Sequence, residues 1–274
     1  MDQIDLKILQ LLQKRTKLSI QIGEAKHRHH AAVYVPERER ELLARINRRS
    51  QGKALSAKAI TAIYREILSS SRAAQKQAPV GYLAKSASVV IPPGRWCFGA
   101  CDEFLPCKSW TDVAAGLASG QLAAALLTGA ELAQALKKTK DRHEFLVHFT
   151  VVGDLHPALE SQVPPDRRIF IVTPRDKGAS GMANRALILI ECKSTGDALK
   201  TLLHSMSDRP LHAELWCLQP ASTPRGSGAA LALMTFSQPL DGIRVTSALV
   251  TAFKGAELSG SILGVYPGTD TYGG

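Results

Sequence analysis

Long apolar runs are missing from this sequence of 274 residues, although 45% of its residues are apolar. No stretch of about 18 consecutive apolar residues occurs, so we predict no membrane-spanning helix. The first ten residues, MDQIDLKILQ, lack both the basic start and the small-residue cleavage site of a signal peptide. The composition therefore predicts a globular protein of one or two cores, with a cytoplasmic location as the default expectation.

Paired cysteine motifs are also missing. The five cysteines are Cys97, Cys101, Cys107, Cys192 and Cys217. Their odd number and the absence of a repeated CxxC favour reduced thiols over disulfides. A metal site built on the first three of them is a minor alternative, because no CxxC pair accompanies them, and we predict no metal.

Aromatic residues are scarce in the first quarter of the chain, where most of the charge lies. Residues 1–78 hold 16 Lys and Arg against 7 Asp and Glu, a net charge of +9 out of +10 for the whole chain. Such a segment attracts anions, and nucleic acid is one candidate. Tyr34 and Tyr64 are the only aromatic residues there, so the stacking platform of a single-strand binder is absent. A small polyanion fits equally well.

The spacing of apolar residues predicts three helices at the start of the chain. The first runs from about Gln3 to His30, the second opens after Pro36 and the third begins near Ser56. This all-α region ends near Gln77.

Beyond that point the pattern changes to short apolar segments. APVGYLA, ASVVIPP, AALLTG, LVHFTVV and RIFIVTP are typical of buried strands with helices between them. From Arg185 onward the order is strand, helix, strand, strand, helix, strand, which indicates a ferredoxin-like unit. We therefore predict a multi-domain α plus α/β protein with domains at 1–78, 79–178 and 179–274.

Two cations lie on the apolar stripe of the first predicted helix. The stripe consists of Ile4, Ile8, Leu11, Leu12, Leu18 and Ile22, and it predicts one buried face. Arg15 follows Leu11 by four residues and Lys26 follows Ile22 by four, so both cations point the same way. The helix is thus predicted to turn two cations inward.

The other two helices show the same feature. Arg38 and Glu39 each precede a core leucine by four residues, and Ser71 and Gln75 continue the apolar stripe of the third helix. A lone inward arginine usually snorkels to solvent or pairs with a carboxylate. Six inward polar groups, with three cations against Glu39 alone, instead predict an anionic ligand, because burying unpaired charge costs several kcal/mol.

These residues resemble those of a known family. Arg15, Lys26, the segment PERERELL (Pro36 to Leu43) and the segment AITAIYREILSSSRAAQ (Ala59 to Gln75) are similar to the all-helical chorismate mutases. The resemblance covers residues 2 to 78 and is strongest to the N-terminal domain of the bifunctional chorismate mutase-prephenate dehydratase. It implies a homodimer of three-helix chains that converts the dicarboxylate chorismate to prephenate, without a cofactor, nucleic acid or membrane.

The resemblance also implies a role for each inward residue. Arg15 and Arg38 would hold the substrate carboxylates with help from the Ser71 hydroxyl. Lys26 and Gln75 would donate to the ether oxygen, where negative charge grows as the C–O bond breaks. Glu39 would accept a hydrogen bond from the ring hydroxyl.

Two departures from the family leave alternatives open. The best-known family members have an aspartate that faces the ring hydroxyl at the position of Val35. Glu39 alone is therefore left to accept a hydrogen bond from that hydroxyl. The family also has an arginine about two turns before the position of Asp5, for which residues 1–4 offer no counterpart. Three alternatives follow: the true start lies upstream, the site works with a reduced carboxylate clamp, or the protein is an inactive homologue that binds a ligand or regulates a partner.

The later segments resemble eroded parts of the same bifunctional family. PVGYLA (Pro79 to Ala84) is similar to the first strand of a prephenate dehydratase domain, and EFLPCKSWTDV (Glu103 to Val113) to the approach to its second strand. The family's catalytic motifs are replaced by AKSASVV, TGAELAQ and RIF (Arg168 to Phe170). The segment between the last two of these motifs is also too short to form the second lobe that the family has at this point. We therefore expect dehydratase activity to be absent.

The terminal unit resembles a degenerate ACT domain, the phenylalanine-sensing module of that family. GDAL (Gly196 to Leu199) and SILGVYP (Ser261 to Pro267) carry the likeness, whereas CLQP (Cys217 to Pro220) replaces the element that closes over phenylalanine. Another small ligand, or a structural role, is expected instead.

Overall fold

A computed structural model describes residues 1–29, 34–52, 54–137, 139–155, 167–175, 182–192, 211–219, 228–255 and 259–267. These residues group into two compact units, one from Met1 to Ala125 and the other from Leu126 onward. Helices dominate the start of the chain, and strands with helices between them follow. The predicted combination of an all-α region with α/β regions is thus confirmed, while the exact boundaries at 78 and 178 stay predictions.

The three predicted helices are present. They are α1 (Asp2–Arg28), α2 (Pro36–Ser50) and α3 (Ala57–Ala74). Pro36 is the first residue of α2, where its missing N–H leaves no hydrogen bond unmade. Ser56 caps α3, because its Oγ accepts a hydrogen bond from the Ala59 N–H at 3.1 Å. Local capping chemistry therefore explains both helix starts.

The buried face of α1 differs from the predicted one. Within this single chain the apolar stripe is exposed: Leu11 retains 66% of its accessible surface and Ile8 retains 50%. The buried residues of α1 are Ser19 and Gly23, which lie between Arg15 and Lys26 along the helix. The stripe is exposed in the single chain because α3 packs on the small residues of α1, and its burial by a second copy stays a prediction.

The rest of the first unit is built on a parallel strand pair. Its elements are β1 (Val80–Leu83), a short 3-10 turn (Ala84–Ser86), α4 (Ala87–Phe98), β2 (Phe104–Cys107) and α5 (Trp110–Ala118). β1 pairs with β2, with Val80 opposite Phe104. The Ser109 and Asp112 side chains form a capping box at the start of α5.

The segment ASVVIPP belongs to a helix, so the prediction of a strand there is wrong. Its β-branched residues favour a strand, but the buried residues of α4 are Val90, Pro93, Gly94 and Phe98, which follow the helical period. Packing of this one face outweighs the cost of Pro92 and Pro93 inside the helix.

The next elements along the chain begin at the end of the first unit and continue into the second unit. They are β3 (Ala124–Thr128), α6 (Gly129–Ala135), α7 (Thr139–His148), β4 (Phe149–Leu155) and β5 (Ile169–Pro174). The strands predicted from AALLTG and RIFIVTP are confirmed. In LVHFTVV only the part from Phe149 is a strand, because α7 extends to His148. β4 and β5 pair in antiparallel fashion.

A four-stranded antiparallel sheet forms the rest of the second unit. Its elements are β6 (Met182–Cys192), β7 (Leu211–Gln219), β8 (Gly228–Asp241), α8 (Gly242–Gly255) and β9 (Ser259–Tyr266). The strand order is β7-β8-β6-β9, and every pair is antiparallel. The predicted strands and the second helix are confirmed. The helix predicted around Gly196 to Leu199, like Pro220, lies outside the described residues.

None of the helices in the described part of the chain is long and apolar enough to cross a membrane.

A buried charge cluster lies in the core of the second unit. The Asp154 carboxylate accepts hydrogen bonds from Arg168 and Arg185, and all three side chains are buried. Tyr266 lies in the same core, and burial raises its pKa well above the ordinary value. Strands β4 and β6 and the residue just before β5 thus meet around one shared anion.

We expect Asp154→Asn to lower the free energy of unfolding by about 3 kcal/mol, because two buried guanidinium groups lose their shared anion. Urea denaturation measures this change. Asp241→Asn is the control, since Asp241 Oδ1 only caps α8 (Ile243 N–H at 2.8 Å) and asparagine caps equally well. Equal stabilities of the two variants would show that the cluster contributes nothing.

Candidate functional site

Helices α1 and α3 approach closely at Gly23. A Cβ atom added to Gly23 would lie 2.9 Å from the Gln75 Cα, so no larger residue fits without a shift. The His27 ring nitrogen Nε2 lies 3.0 Å from the Gln75 carbonyl oxygen. This crossing holds the end of α3 against the C-terminal half of α1.

Arg15 and Ser71 meet at the same crossing. Arg15 Nη1 donates to the Ile67 carbonyl at 3.2 Å and to the Ser71 Oγ. The Ser71 hydroxyl in turn donates to the Ile67 carbonyl at 2.6 Å. Partial burial lowers the pKa of Arg15. The structure therefore brings together a cation and a hydroxyl that lie 56 residues apart in sequence.

Lys26 shares its surroundings with two residues of α2. Burial lowers the pKa of Lys26, the positive charge of Arg38 lowers it further, and the negative charge of Glu39 opposes both effects. Lys26 is half-buried, but Arg38 is exposed, so the prediction that Arg38 turns inward is wrong for the single chain. Two cations from different helices thus lie close enough to repel each other.

Gln75 caps the C-terminus of α3 and turns its amide toward the helix. Its Nε2 donates to the Ser71 carbonyl at 3.1 Å. Its Oε1 is buried and accepts no hydrogen bond from the described residues. A buried acceptor without a donor is costly, so a ligand that donates here would be stabilised.

Glu39 has a strong partner, Arg72, that the sequence analysis did not identify. Arg72 Nη1 donates to both Glu39 carboxylate oxygens at 2.6 Å. Burial raises the pKa of Glu39, and the Arg72 charge opposes that rise. The expectation that Glu39 is the only anion among three cations is corrected: Arg72 is a fourth cation that binds Glu39 directly, and Asp102 is a second anion bound to the same guanidinium.

Val35 is the N-cap residue of α2 and is half-buried. It brings no polar group to the site. The preceding Tyr34 ring packs against Phe98 with the ring centroids 5.1 Å apart. The role implied for this position by the resemblance stays a prediction.

Arg72 and Asp102 are the residues that sequence reasoning missed. A signal for Arg72 existed, because it follows the buried Leu68 by four residues, as Gln75 follows Ser71. Asp102 carried none, since it lies in the loop 99–103, where no periodic pattern marks an inward residue.

The site therefore combines cations with neutral donors. Arg15, Lys26 and Arg38 supply positive charge, while Ser71 and Gln75 supply a hydroxyl and an amide from α3. Fixed cations and directed donors are suited to carboxylates and to developing negative charge on oxygen. Within the described residues, no cluster of three or more His, Cys, Asp or Glu side chains is arranged to hold a metal ion.

One family model matches the N-terminal helices. Residues 1–76 match the family model of chorismate mutase type II. The resemblance stated for the N-terminal helices is thereby confirmed. The model covers the three helices and ends beside the last predicted site residue, Gln75.

Curated relatives match over short stretches. The bifunctional chorismate mutase/prephenate dehydratase of Aquifex aeolicus is 36% identical over 115 residues, which is 41% of this chain and 32% of that protein. The T-protein of Enterobacter agglomerans is 44% identical over 54 residues, or 20% of this chain and 14% of that protein. The chain thus spans at most about a third of the length of these relatives.

Solved structures of similar shape are more distant. GqqA, described as a novel type of quorum quenching acylase, has a TM-score of 0.49 and 16% identity, covering 69% of this chain and 94% of that one. The prephenate dehydratase of Streptococcus mutans has a TM-score of 0.45 and 14% identity, covering 70% and 98%. No function follows from likenesses this low.

The coupling of Lys26 to Arg38 is testable without a substrate. We expect the Lys26 ammonium to titrate below the ordinary lysine pKa, and Arg38→Gln to raise that pKa, because a repelling positive charge is removed. NMR titration of the lysine Cε resonances measures both. Arg45→Gln, an exposed arginine on the same helix, is the control and should leave the Lys26 titration unchanged. An unmoved or lower pKa in Arg38→Gln would contradict the arrangement.

Proposed function

We propose that the helical region, residues 2–78, is a chorismate mutase that rearranges chorismate to prephenate. The observation that carries the proposal is the convergence of Arg15, Ser71 and Gln75 at the α1–α3 crossing, with Lys26 beside Arg38 and Glu39. These are the residues that the family resemblance singled out, and the match to the chorismate mutase type II model supports the same conclusion.

The reaction suits a site of this kind. A Claisen rearrangement is intramolecular, so it needs neither a nucleophile nor a cofactor. The protein can accelerate it only by holding a folded substrate conformer and by stabilising the charge of the transition state. Cations that are partly withdrawn from water are stronger in both tasks than exposed ones.

Each side chain then has a specific task. Arg15, with the Ser71 hydroxyl, and Arg38 bind the two substrate carboxylates. Lys26 donates to the ether oxygen as the C–O bond breaks, and Gln75 donates to the same oxygen through an amide hydrogen left over from its bond to Ser71. The Glu39 carboxylate, held by Arg72, accepts from the ring hydroxyl through its remaining lone pairs, while Val35 adds only an apolar wall.

We propose that the active form is a homodimer built on the N-terminal helices. The exposed apolar stripe of α1 supports this, because a row of exposed leucine and isoleucine side chains is unfavourable in water. The family resemblance adds that the long first helices cross between subunits. A second copy would cover the stripe in an isologous interface.

We also propose that the later region has lost dehydratase activity and that the four-stranded sheet is an ACT-like unit. The replaced sequence motifs at 84–90, 128–134 and 168–170 support the loss. The strand order β7-β8-β6-β9 supports the ACT-like assignment, since βαββαβ units of the ferredoxin-like type arrange their strands in this way.

The loss of chorismate absorbance tests the proposed activity. We expect turnover by the wild-type protein, with no phenylpyruvate formed above the uncatalysed rate. Lys26→Ala and Gln75→Ala are each expected to reduce kcat/KM about a hundredfold, the scale of a lost transition-state donor, with little change in melting temperature. Lys17→Ala, an exposed lysine on the same helix, is the control and should keep full activity.

The outcomes separate the alternatives. A wild-type protein that binds a bicyclic dicarboxylate mimic of the transition state but turns over no chorismate would indicate an inactive, ligand-binding homologue. Variants that unfold without a specific kinetic loss would show that Lys26 and Gln75 are structural. Binding of nucleic acid that weakens steeply with salt would instead indicate a nucleic-acid-binding protein.

Sedimentation equilibrium tests the dimer. We expect the wild-type protein to sediment as a dimer at micromolar concentration, and Leu11→Glu to dissociate it, because a charge would replace an apolar contact in the interface. Gln13→Glu adds the same charge at an exposed polar position of α1 and is the control. A monomeric wild-type protein would refute the assembly.

A further inference from the structure

We propose that Asp102, acting through Arg72, is a positioning residue for the Glu39 carboxylate. The loop 99–103 would then belong to the site, although it lies outside the helical region. This inference rests on the proposed function, in which Glu39 contacts the substrate and Asp102 does not.

Each nitrogen of the Arg72 guanidinium donates a hydrogen bond to an oxygen atom. Its Nε donates to Asp102 Oδ1 at 3.1 Å and its Nη2 to Asp102 Oδ2 at 2.8 Å, so the carboxylate grips one edge of the guanidinium. Nη2 also donates to the Phe98 carbonyl, while Nη1 faces Glu39. Because the guanidinium is planar and rigid, fixing one edge fixes the direction of the other.

The cluster is withdrawn from water. The Arg72 side chain is 4% exposed and that of Asp102 is 3% exposed, while that of Glu39 is 24% exposed. The open end of the cluster is therefore Glu39, on the side where a ligand would bind. Buried ion pairs of this geometry hold their partners more firmly than surface pairs do.

The loop that carries Asp102 is fitted closely to α3. Gly99 has φ of +99°, and a Cβ atom there would lie 2.5 Å from the Ser69 Cβ. Ser69 Oγ accepts from the Cys101 N–H at 3.0 Å and donates to Asp102 Oδ2 at 2.6 Å. Gln77 Nε2 adds a donor to Asp102 Oδ1 at 3.2 Å. The position of Asp102 is thus set by several independent contacts.

Charged groups from three parts of the chain act on Glu39. Arg72 of α3 and Lys26 of α1 favour its ionised form, whereas Asp102 disfavours it. Arg15 of α1 is also within electrostatic reach. On α4, burial raises the pKa of the Cys97 thiol to about 11, so this group stays neutral near pH 7. Burial raises the Glu39 pKa, the nearby cations oppose that rise, and the Arg72 hydrogen bonds fix the position of the carboxylate.

A double-mutant cycle tests the positioning role. We expect Asp102→Asn to lower kcat/KM about tenfold in the wild-type background but to have almost no further effect in Glu39→Gln. A purely structural role predicts equal losses in both backgrounds, in step with the loss of folded protein. Equal losses would therefore overturn the inference.

Two further variants cover the case in which Asp102→Asn folds poorly. Arg72→Gln/Asp102→Asn removes both of the most deeply buried charges and leaves Glu39 without its direct ion-pair partner, so we expect a loss in kcat/KM of at least about tenfold. Arg65→Gln is the matched control, since Arg65 lies two turns earlier on α3 and stacks 4.3 Å from the Trp96 ring centroid. It should keep wild-type kinetics.

An activity-independent measurement separates this inference from the proposed function. In an NMR titration of carboxyl-labelled glutamate, Arg72→Gln should raise the Glu39 pKa and Asp102→Asn should lower it, because the first removes an attracting charge and the second a repelling one. A wild-type protein without chorismate turnover would refute the proposed function alone. A Glu39 titration that is unchanged in both variants would refute the positioning role, whatever the activity.

Discussion

The buried guanidinium of Arg72 is the interaction on which the first unit depends. It binds Glu39 of α2 and Asp102 of the loop 99–103 at once, and it belongs to α3 itself. Three separate segments are therefore joined by one cation. Because desolvating an arginine is costly, its hydrogen-bonding groups must be met by fixed acceptors, and that requirement constrains where both carboxylates lie.

Helix α1 divides its surface between two kinds of contact. Its small residues Ser19 and Gly23 pack toward α3, which lets the backbones approach and places Arg15 beside Ser71. Its leucines and isoleucines point away from that contact and stay exposed in the single chain. A helix with long apolar residues on the inner face would keep α3 too far away for Arg15 to reach the Ser71 hydroxyl.

Most secondary structure followed from local patterns, and the failures have a physical cause. The starts of α2 and α3 were predictable because proline and serine act within one turn of the helix end. The helix α4 was not, because its β-branched residues favour a strand and only the packing of Val90 and Phe98 selects the helical period. Most strands of the second unit were predictable from short apolar runs bounded by polar residues.

The sequence by itself determined the inward residues Arg15, Lys26, Glu39, Ser71 and Gln75, since each is set by helical spacing and by resemblance to a family. Only the tertiary structure decided which face of α1 is buried and which cation binds Glu39. The periodicity of one helix says nothing about how closely its neighbour approaches. Asp102 lies 30 residues beyond Arg72, in a loop without periodicity, so its contact with that residue arises only when the chain is folded.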